Sequence, residues 1–427
     1  MNDFRPNTPL HVDREQLQRD LDALAELTEP GRPWTRRSFT PMFLKGRDYL
    51  AQRFAEEGLA VSTDASGNLL GRWVGENADA PVVMTGSHSD TVPSGGRFDG
   101  IAGILCGLAA IRALRLSGYQ PDNSIELVDF LAEEPSEWGL SCIGSRGMAG
   151  ALTGDHFAML GPDGERLDMA IARMGGAPER IAASVRQDIG ALVEIHIEQG
   201  PVLEAEAVPL GVVTSIAGIA RVRLRLEGEA GHAGTVPMAM RADAGMAMAR
   251  LMLALRDAAR VEADRGRGHF TATIGVLKLE PNGANVVPGA AEAIIDIRAE
   301  NDAAMDDYLA AVPAHATATA TAENCRVAAV ETLSQTRAVA CDARLQAIIA
   351  NAAEIHGLAT KPLSSGAGHD AAFVARIAPA AMIFVPSKGG ISHAPEEWTD
   401  TESIARAADV LALTLATLDR RPLTQAA

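Results

Sequence analysis

A succession of apolar runs in this chain breaks off into short turns rich in Gly or Ser. Those turns carry His88, Asp90, Asp99, the pair Glu133-Glu134, His196 and His393. The densest stretch is Met84-Thr-Gly-Ser-His-Ser-Asp-Thr-Val-Pro-Ser-Gly-Gly-Arg-Phe-Asp-Gly100. Imidazole and carboxylate donors with almost no thiolate suit borderline or hard divalent ions such as Zn²⁺, Mn²⁺ or Co²⁺. The carboxylates outnumber what one tetrahedral ion takes, and the surplus points to two ions sharing one carboxylate. A pair of ions held in this way is hydrolase chemistry.

At 427 residues the chain is long for a single core, so two domains are expected. A hydrophobic fraction of 47% and a charged fraction of 22% describe an ordinary globular protein. The net charge of −17, with no basic run, excludes phosphate-neutralising binding of nucleic acid. Met1 to Leu10 has no apolar core of signal-peptide length, and no segment is apolar for long enough to span a bilayer. Cys106, Cys142, Cys325 and Cys341 are widely spaced, and the expectation is reduced thiols in a cytoplasmic protein.

Periodicity gives the coarse architecture. Leu17, Leu21 and Leu24 recur at helical spacing behind Asp13, a capping residue with Gln16 three positions on. A second helix around Phe43, Leu50 and Phe54 stops at Gly58. Strands follow at Leu59–Ser62, Leu69–Trp73 and Pro81–Thr85, then a buried helix from Gly100 to Leu116 and a strand from Ile125 to Leu131. Continuous apolar strands alternating with helices imply an α/β sheet covered on both faces. His88 and Glu133-Glu134 stand just past the carboxyl ends of such strands, where ligand sites form in open α/β sheets.

The character changes after about residue 215. Arg221-Val-Arg-Leu-Arg-Leu-Glu227 alternates with period two, the mark of a half-exposed antiparallel strand. A helix at Arg241–Arg260, strands at Thr271–Leu279 and Ala293–Arg298, a helix at Ala303–Val312 and a strand at Arg326–Val330 complete a β-α-β-β-α-β order. The chain then returns through a helix at Ala343–His356, a strand at Ala381–Val385 and a helix at Ser403–Leu418. The expected fold is two-domain α/β. A catalytic domain at residues 1–215 and 333–427 has a mixed sheet flanked by helices, and residues 216–332 form an inserted ferredoxin-like α+β domain.

Each candidate residue has a plain alternative. In His88-Ser-Asp90 the imidazole can bind metal while Asp90 accepts its other ring N–H, or the pair is a strand-end histidine beside a solvated carboxylate. Asp99, within Gly95-Gly96-Arg-Phe-Asp99-Gly100, is the natural bridging carboxylate. A lone Glu-Glu pair is usually an exposed acidic pair. At a strand end beside other ligands, one member can bind metal while its neighbour serves as general base. His196 reads as a ligand or as a satisfied core histidine, and His393 as a ligand or a plain loop residue. His232, in Gly231-His-Ala-Gly-Thr235, has no ligand partner nearby in sequence. His369-Asp370 is either a pair supporting the ligands from behind or the charged first turn of a helix. Asn285 and Arg298 can recognise a carboxylate, and Arg298 reads equally as a solvated strand residue.

Taken together, these segments resemble the M20 metallopeptidase superfamily, in its amidase, hydantoinase/carbamoylase branch. The most specific pieces are Gly86-Ser-His-Ser-Asp-Thr-Val, Gly95-Gly-Arg-Phe-Asp-Gly, His196-Ile-Glu-Gln-Gly-Pro-Val-Leu-Glu204, Gly231-His-Ala-Gly-Thr-Val-Pro-Met238, Ser365-Gly-Ala-Gly-His-Asp370 and Ile391-Ser-His393. The resemblance runs from about residue 12 to residue 418. It implies His88, Asp99, Glu134, His196 and His393 as ligands of two divalent ions, Zn²⁺ first and Mn²⁺, Co²⁺ or Ni²⁺ as alternatives, with Asp99 bridging. It further implies Glu133 as catalytic base and His232 as an oxyanion-stabilising histidine that reaches the partner subunit's site. Gln199, Asn285, Arg298 and Gly368 are the implied substrate-binding residues. A homodimer joined through the inserted domain goes with this. Where the branch commonly reads Gly-Ser-Arg-Phe after the second glutamate, this chain has Pro135-Ser-Glu-Trp138.

The expected activity is cleavage of the carbamoyl C–N bond of N-carbamoyl-L-amino acids to amino acid, CO2 and ammonia. Allantoate amidohydrolase and β-ureidopropionase are the alternatives within the branch. A dimetal aminopeptidase fits less well with Ile197-Glu-Gln-Gly-Pro201, and a non-catalytic binding module would lack the base or part of the ligand set.

Overall fold

The computed structural model describes residues 8–77 and 79–420. The first seven residues of the Met1–Leu10 stretch and the end of the closing segment at 421–427 lie outside the described residues. The chain divides into two units. The first takes the chain up to Thr214, Cys341–Leu363 and everything from His369, and the second takes Ser215–Ala340 with Ser364–Gly368. The second unit starts within one residue of expectation, but its expected end at 332 is corrected. Residue 333 falls inside a strand, Arg326–Gln335, whose pairing with Gly218–Glu227 runs to Gln335 and keeps the whole strand in the small sheet.

In the first unit, α1 (Arg14–Glu26) starts where Asp13 accepts the amide of Gln16 at 3.0 Å. α2 (Pro41–Glu56) is capped by Thr40, which accepts the amide of Phe43. The strands are β1 (Ala60–Thr63), β2 (Leu69–Trp73), β3 (Val82–His88), β4 (Ile125–Phe130), β5 (Ile189–Ile197) and β6 (Leu210–Ile216), with a closing strand Ala380–Val385. They lie in the order β1-β2-β4-β3-β5, the closing strand, then β6. The four central members β4, β3, β5 and the closing strand are parallel, whereas β1, β2 and β6 pair antiparallel. Every residue of β3, β4 and the closing strand is buried, as a sheet covered on both faces requires. The helix α3 (Ile101–Leu116), buried over most of its surface, packs on β3 and β5, and the closing helix Thr401–Arg420 packs on α3. Because the four parallel strands are neighbours, their carboxyl ends and the loops after them emerge side by side.

Residues 131–183, for which no elements were expected, build their own small core. A helix α4 (Ile143–Met148) and a helix Leu167–Arg173 enclose Leu131, Trp138, Ile143, Leu167 and Ile171 together with Phe39 and Phe43. Trp138, in the segment that departs from the branch pattern, is an anchor of this core. Its ring meets Phe39 edge-on at 4.7 Å and its Nε1 donates to the Glu165 carbonyl.

In the second unit β7 (Gly218–Glu227), β9 (Phe270–Glu280), β11 (Ala290–Ala299) and β12 (Arg326–Gln335) form an antiparallel sheet in the order β12-β7-β11-β9. The short β8 (Gly231–His232) and β10 (Val286–Val287) pair separately. The period-two pattern of β7 sends Ala220, Val222, Leu224 and Leu226 into a core shared with helices Ala244–Asp264 and Asp302–Ala322. This is the expected ferredoxin-like order. The second helix, expected to end at Val312, instead continues through Pro313 to Ala322. The Ala/Thr-rich stretch is helical because alanine is the best helix former, and the hydroxyls of Thr317, Thr319 and Thr321 find partners within the helix, in carbonyls four residues earlier.

All four cysteines are free thiols. Among the described residues no helix is long and apolar enough to cross a membrane.

Candidate metal centre

His88 is the last residue of β3 and His196 the penultimate residue of β5, so the sheet ladder sets the two rings next to each other, with centroids 5.8 Å apart. Each ring is oriented by its own main chain. His88 Nδ1 donates to the Asp90 carbonyl at 3.0 Å and His196 Nδ1 to the Ile197 carbonyl at 2.9 Å. In the neutral rings this puts the proton on Nδ1 and leaves both Nε2 atoms as lone-pair donors. Both Nε2 atoms face Asp99 Oδ1, at 3.8 Å from His88 and 3.0 Å from His196. The other oxygen of the same carboxylate, Oδ2, lies 3.1 Å from His393 Nε2, which in turn is 3.3 Å from Glu134 Oε1. Two groups of three result, His88–Asp99–His196 and Asp99–Glu134–His393, with Asp99 common to both.

The Glu133-Glu134 segment follows β4 and is held by main-chain bonds to α4, including Ile143 N–H to the Ala132 carbonyl and Cys142 N–H to the Glu133 carbonyl. Asp90 needs a correction. Its backbone carbonyl, not its carboxylate, receives the His88 ring proton. The two carboxylate oxygens instead accept the amides of Glu133 and Glu134, each at 3.2 Å. The physical reason is the sharp turn after β3, which brings the Asp90 main chain nearer the ring than its side chain, at 3.0 against 3.5 Å. Asp90 thus sets the two glutamates rather than the histidine.

Electrostatics separates the carboxylates. Burial would raise Asp99, but hydrogen bonds from His196 and His393 overcome it and hold the group well below the ordinary carboxylate range. Burial drives Glu133 well above that range, opposed by His88 and reinforced by Glu134. Burial and the charge of Asp99 push Glu134 up to about 7. The hydrogen bond to Asp99 lifts His393 to about 9. Backbone strain concentrates here too, for Ala132, Gln199 and His393 all hold positive φ, at 53°, 57° and 54°.

Gln199 belongs to this site, its Nε2 donating to Asp99 Oδ2 at 3.0 Å and to Ser392 Oγ at 3.2 Å. His369 and Asp370 are both buried, and the His369 ring meets His196 edge-on at 4.6 Å. Asp370 is at the same time the N-cap residue of the short helix Ala371–Val374. His232, Asn285, Arg298 and Gly368 belong to the second unit. There His232 lies on β8 opposite Val286, and the Asn285 carbonyl accepts the amide of Ala233. Arg298 donates from Nε to Asp296 and from Nη1 to the Gly366 carbonyl, two residues before Gly368.

The sequence reading missed several buried residues that hold the site. Ser89 is gripped from two sides, its carbonyl by Arg36 Nε at 2.8 Å and its hydroxyl by Asp129, which Arg47 holds at 3.0 Å. Glu194 accepts the Ser87 hydroxyl and the Ala371 amide. Glu397 accepts the amides of Phe98 and Asp99. Their one local signal is a charge inside or beside an apolar run, which solvated residues share.

The donor set fits a pair of divalent ions. Two preset imidazole lone pairs, one carboxylate open on both oxygens and a crowd of buried acids with no Lys or Arg in either trio all call for cationic charge. Another group, His11, His356 and Asp409, is built differently, because the Arg14 fork takes both Asp409 oxygens at 2.9 and 2.6 Å and supplies the positive charge itself.

Known proteins share this arrangement of chain. A ureidoglycolate hydrolase of Oryza sativa subsp. japonica is 35% identical over 96% of this chain and 86% of its own. An N-carbamoyl-L-amino acid amidohydrolase of Geobacillus stearothermophilus is 36% identical over 94% and 97%. The crystal structure of an amidase of the hydantoinase/carbamoylase family from Burkholderia multivorans superposes with a TM-score of 0.89 at 33% identity, covering 97% of this chain and 100% of that one. Fold, site and relatives define an amidohydrolase, a hydrolase acting on C–N bonds. The sequence pattern of peptidase family M20/M25/M40 matches residues 84–417, and the chain belongs to that family.

Proposed function

We propose that this amidohydrolase removes the carbamoyl group from N-carbamoyl-L-amino acids. Water and R–NH–CO–NH2 give R–NH2 and carbamic acid, which breaks down to CO2 and ammonia. The supporting observation is the buried Glu133 carboxyl, outside both trios and 3.7 Å from His88 Nε2, beside a carboxylate shared between two ligand sets. His88, Asp99 and His196 would hold one ion and Asp99, Glu134 and His393 the other, with Zn²⁺ the first candidate. Such ions, when bound, lower the pKa of water toward neutrality and polarise a carbonyl. Glu133 takes the proton of the attacking water as its oxygen bonds to the carbamoyl carbon. The same carboxyl passes the proton to the departing nitrogen as the C–N bond breaks. Asp90 keeps Glu133 and Glu134 at fixed positions through their amides. Gln199, Asn285, Arg298 and the main chain at Gly368 bind the carboxylate and ureido groups of the substrate.

The functional form is a homodimer joined through the second unit. Supporting this, β9 is an edge strand with Val276 and Leu277 exposed, and the helix Ala244–Asp264 exposes Met246, Leu253 and Val261. His232 is exposed, and its Nδ1 accepts the Gly234 amide, so the neutral ring carries its proton on Nε2, ready to donate to an oxyanion in a neighbouring subunit.

A ureide such as allantoate or ureidoglycolate is the second reading, favoured by a ureidoglycolate hydrolase as similar to this chain as the carbamoyl relative. Turnover of N-carbamoyl-L-amino acids, N-carbamoyl-β-alanine, allantoate, ureidoglycolate and dipeptides by one metal-replete preparation decides. The expected kcat/KM for an N-carbamoyl-L-amino acid exceeds the others by at least about tenfold. Faster turnover of either ureide replaces the first reading with the second.

A further inference from the structure

The two ligand trios are not held equally. His88 and His196 stand on adjacent strands, β3 and β5, so the sheet itself fixes the first trio. His393 stands in a loop after the closing strand, half exposed and with φ of 54°. No ladder sets it against Asp99, which comes from a loop near the other end of the chain.

We infer that Glu397 is the positioning residue that fixes the shared carboxylate of Asp99 against His393, and so assembles the second trio. The inference rests on the two-ion reading above. Glu397 is 2% exposed. Its Oε1 accepts the amides of Phe98 at 2.8 Å and Asp99 at 3.1 Å, across 299 and 298 residues of chain. Its Oε2 accepts the hydroxyl of Ser392, the neighbour of His393, at 2.7 Å. One carboxylate therefore grips the backbone that aims Asp99 and the side chain next to His393. Only an acceptor-rich group can take three donors in this way.

Two further observations agree. A Cβ on Gly96 would run into the Glu397 carboxylate, so the glycine is what lets the two loops come this close. The same two loops are joined again by the edge-to-face contact of Phe98 with Trp398, at 5.5 Å. The action of Glu397 on His393 passes through Asp99 and Ser392.

The test is titration of chelator-stripped full-length protein with Co²⁺ alone, read by calorimetry and by the visible absorption of the bound ion, with far-UV circular dichroism as a fold control. Wild type takes two ions. Glu397→Ala takes the first, whose two histidines the sheet still holds, at most about tenfold more weakly, and the second at least about 100-fold more weakly, since two or more charge-assisted hydrogen bonds worth roughly tenfold each are lost. Glu397→Gln, whose carbonyl still accepts both amides while its NH2 donates to Ser392, restores most of that affinity. Ser392→Ala removes one bond without opening a large cavity, and weakens the second ion by about tenfold even if Glu397→Ala does not fold. Unchanged affinity for both ions in Glu397→Ala, or in Ser392→Ala where that variant must serve, overturns the assignment. Equal weakening of both ions does the same, because Glu397 would then not act on the second trio in particular, as does a Gln variant no better than Ala. A wild type that takes one ion overturns the two-ion reading itself.

Discussion

Glu133 and Glu134 are neighbours in sequence and share Asp90 as anchor, yet they face different partners. Glu134 meets His393, while Glu133 lies beside His88 and the Cys142 thiol, 3.8 Å from its Oε1. Glu133→Gln should therefore keep two bound ions and lose turnover by about 10³-fold or more, whereas Glu134→Gln should lose one ion as well. Metal analysis beside steady-state rates checks this, and equal metal loss in both would reverse the roles. His393 carries a second expectation. Its folded pKa of about 9 lies above the ordinary imidazole value of roughly 6.5, so in metal-free protein it holds a proton at neutral pH. The stability from that protonated contact is complete below about pH 6.5 and is lost as pH rises through 9. Metal must displace the proton, so affinity for Co²⁺ should climb between pH 7 and 9, by up to about tenfold per unit, and level off above. A flat profile over that range would count against the assigned ligand. At this scale His88, Glu133, Glu134 and His196 were legible because each lies in or just after an apolar strand, whereas Asp99 and His393 stood out through their Gly-rich motifs and the family resemblance. The work of Asp90 was not, since a spacing of two residues cannot say whether carbonyl or carboxylate meets the ring.

Elements explain why distant residues meet. β4, β3, β5 and the closing strand were all visible as apolar runs, and a parallel order turns four strand ends into one site. The supports were harder to see. Arg36, Arg47 and Glu397 lie buried in the fold, but a single charged residue in a polar neighbourhood looks the same whether solvated or enclosed. Gly100, at φ 68°, starts α3 where a Cβ would strike the His88 ring. Gly100→Ala should keep the fold's circular dichroism, cost roughly 1–3 kcal/mol in backbone strain and weaken metal binding at least tenfold. Unchanged metal affinity would show that the ring can yield. The helix Asp302–Ala322 offers a test free of the site. Pro313 is exposed in its interior and cannot donate to the Leu309 carbonyl. Pro313→Ala should raise stability by about 1–2 kcal/mol in denaturant unfolding, and a loss would mean that the proline itself is needed. The helix runs past its expected end at Val312 because alanine on both sides of Pro313 carries it across.

On the scale of the whole molecule, the two-unit layout was legible from the switch between period-free and period-two strands, whereas the excursion of Ser364–Gly368 into the second unit was not. No local pattern tells which unit a short loop belongs to. The proposed dimer makes a further expectation. His232→Ala and Glu133→Gln should each be nearly inactive with metals in place, while mixed dimers from co-expression should regain about half of the activity per site present. That share follows because one site in each mixed dimer has both groups. Mixed dimers confirmed by mass and still inactive would confine His232 to its own chain. The order of the ligands along the chain has a consequence for biosynthesis. His88, Asp99 and His196 all precede the second unit in the chain, whereas His393 and Glu397 follow it. A nascent chain thus carries every residue of the first trio long before it carries those of the second. The reactive centre has all its parts only once the loop after the closing strand is made.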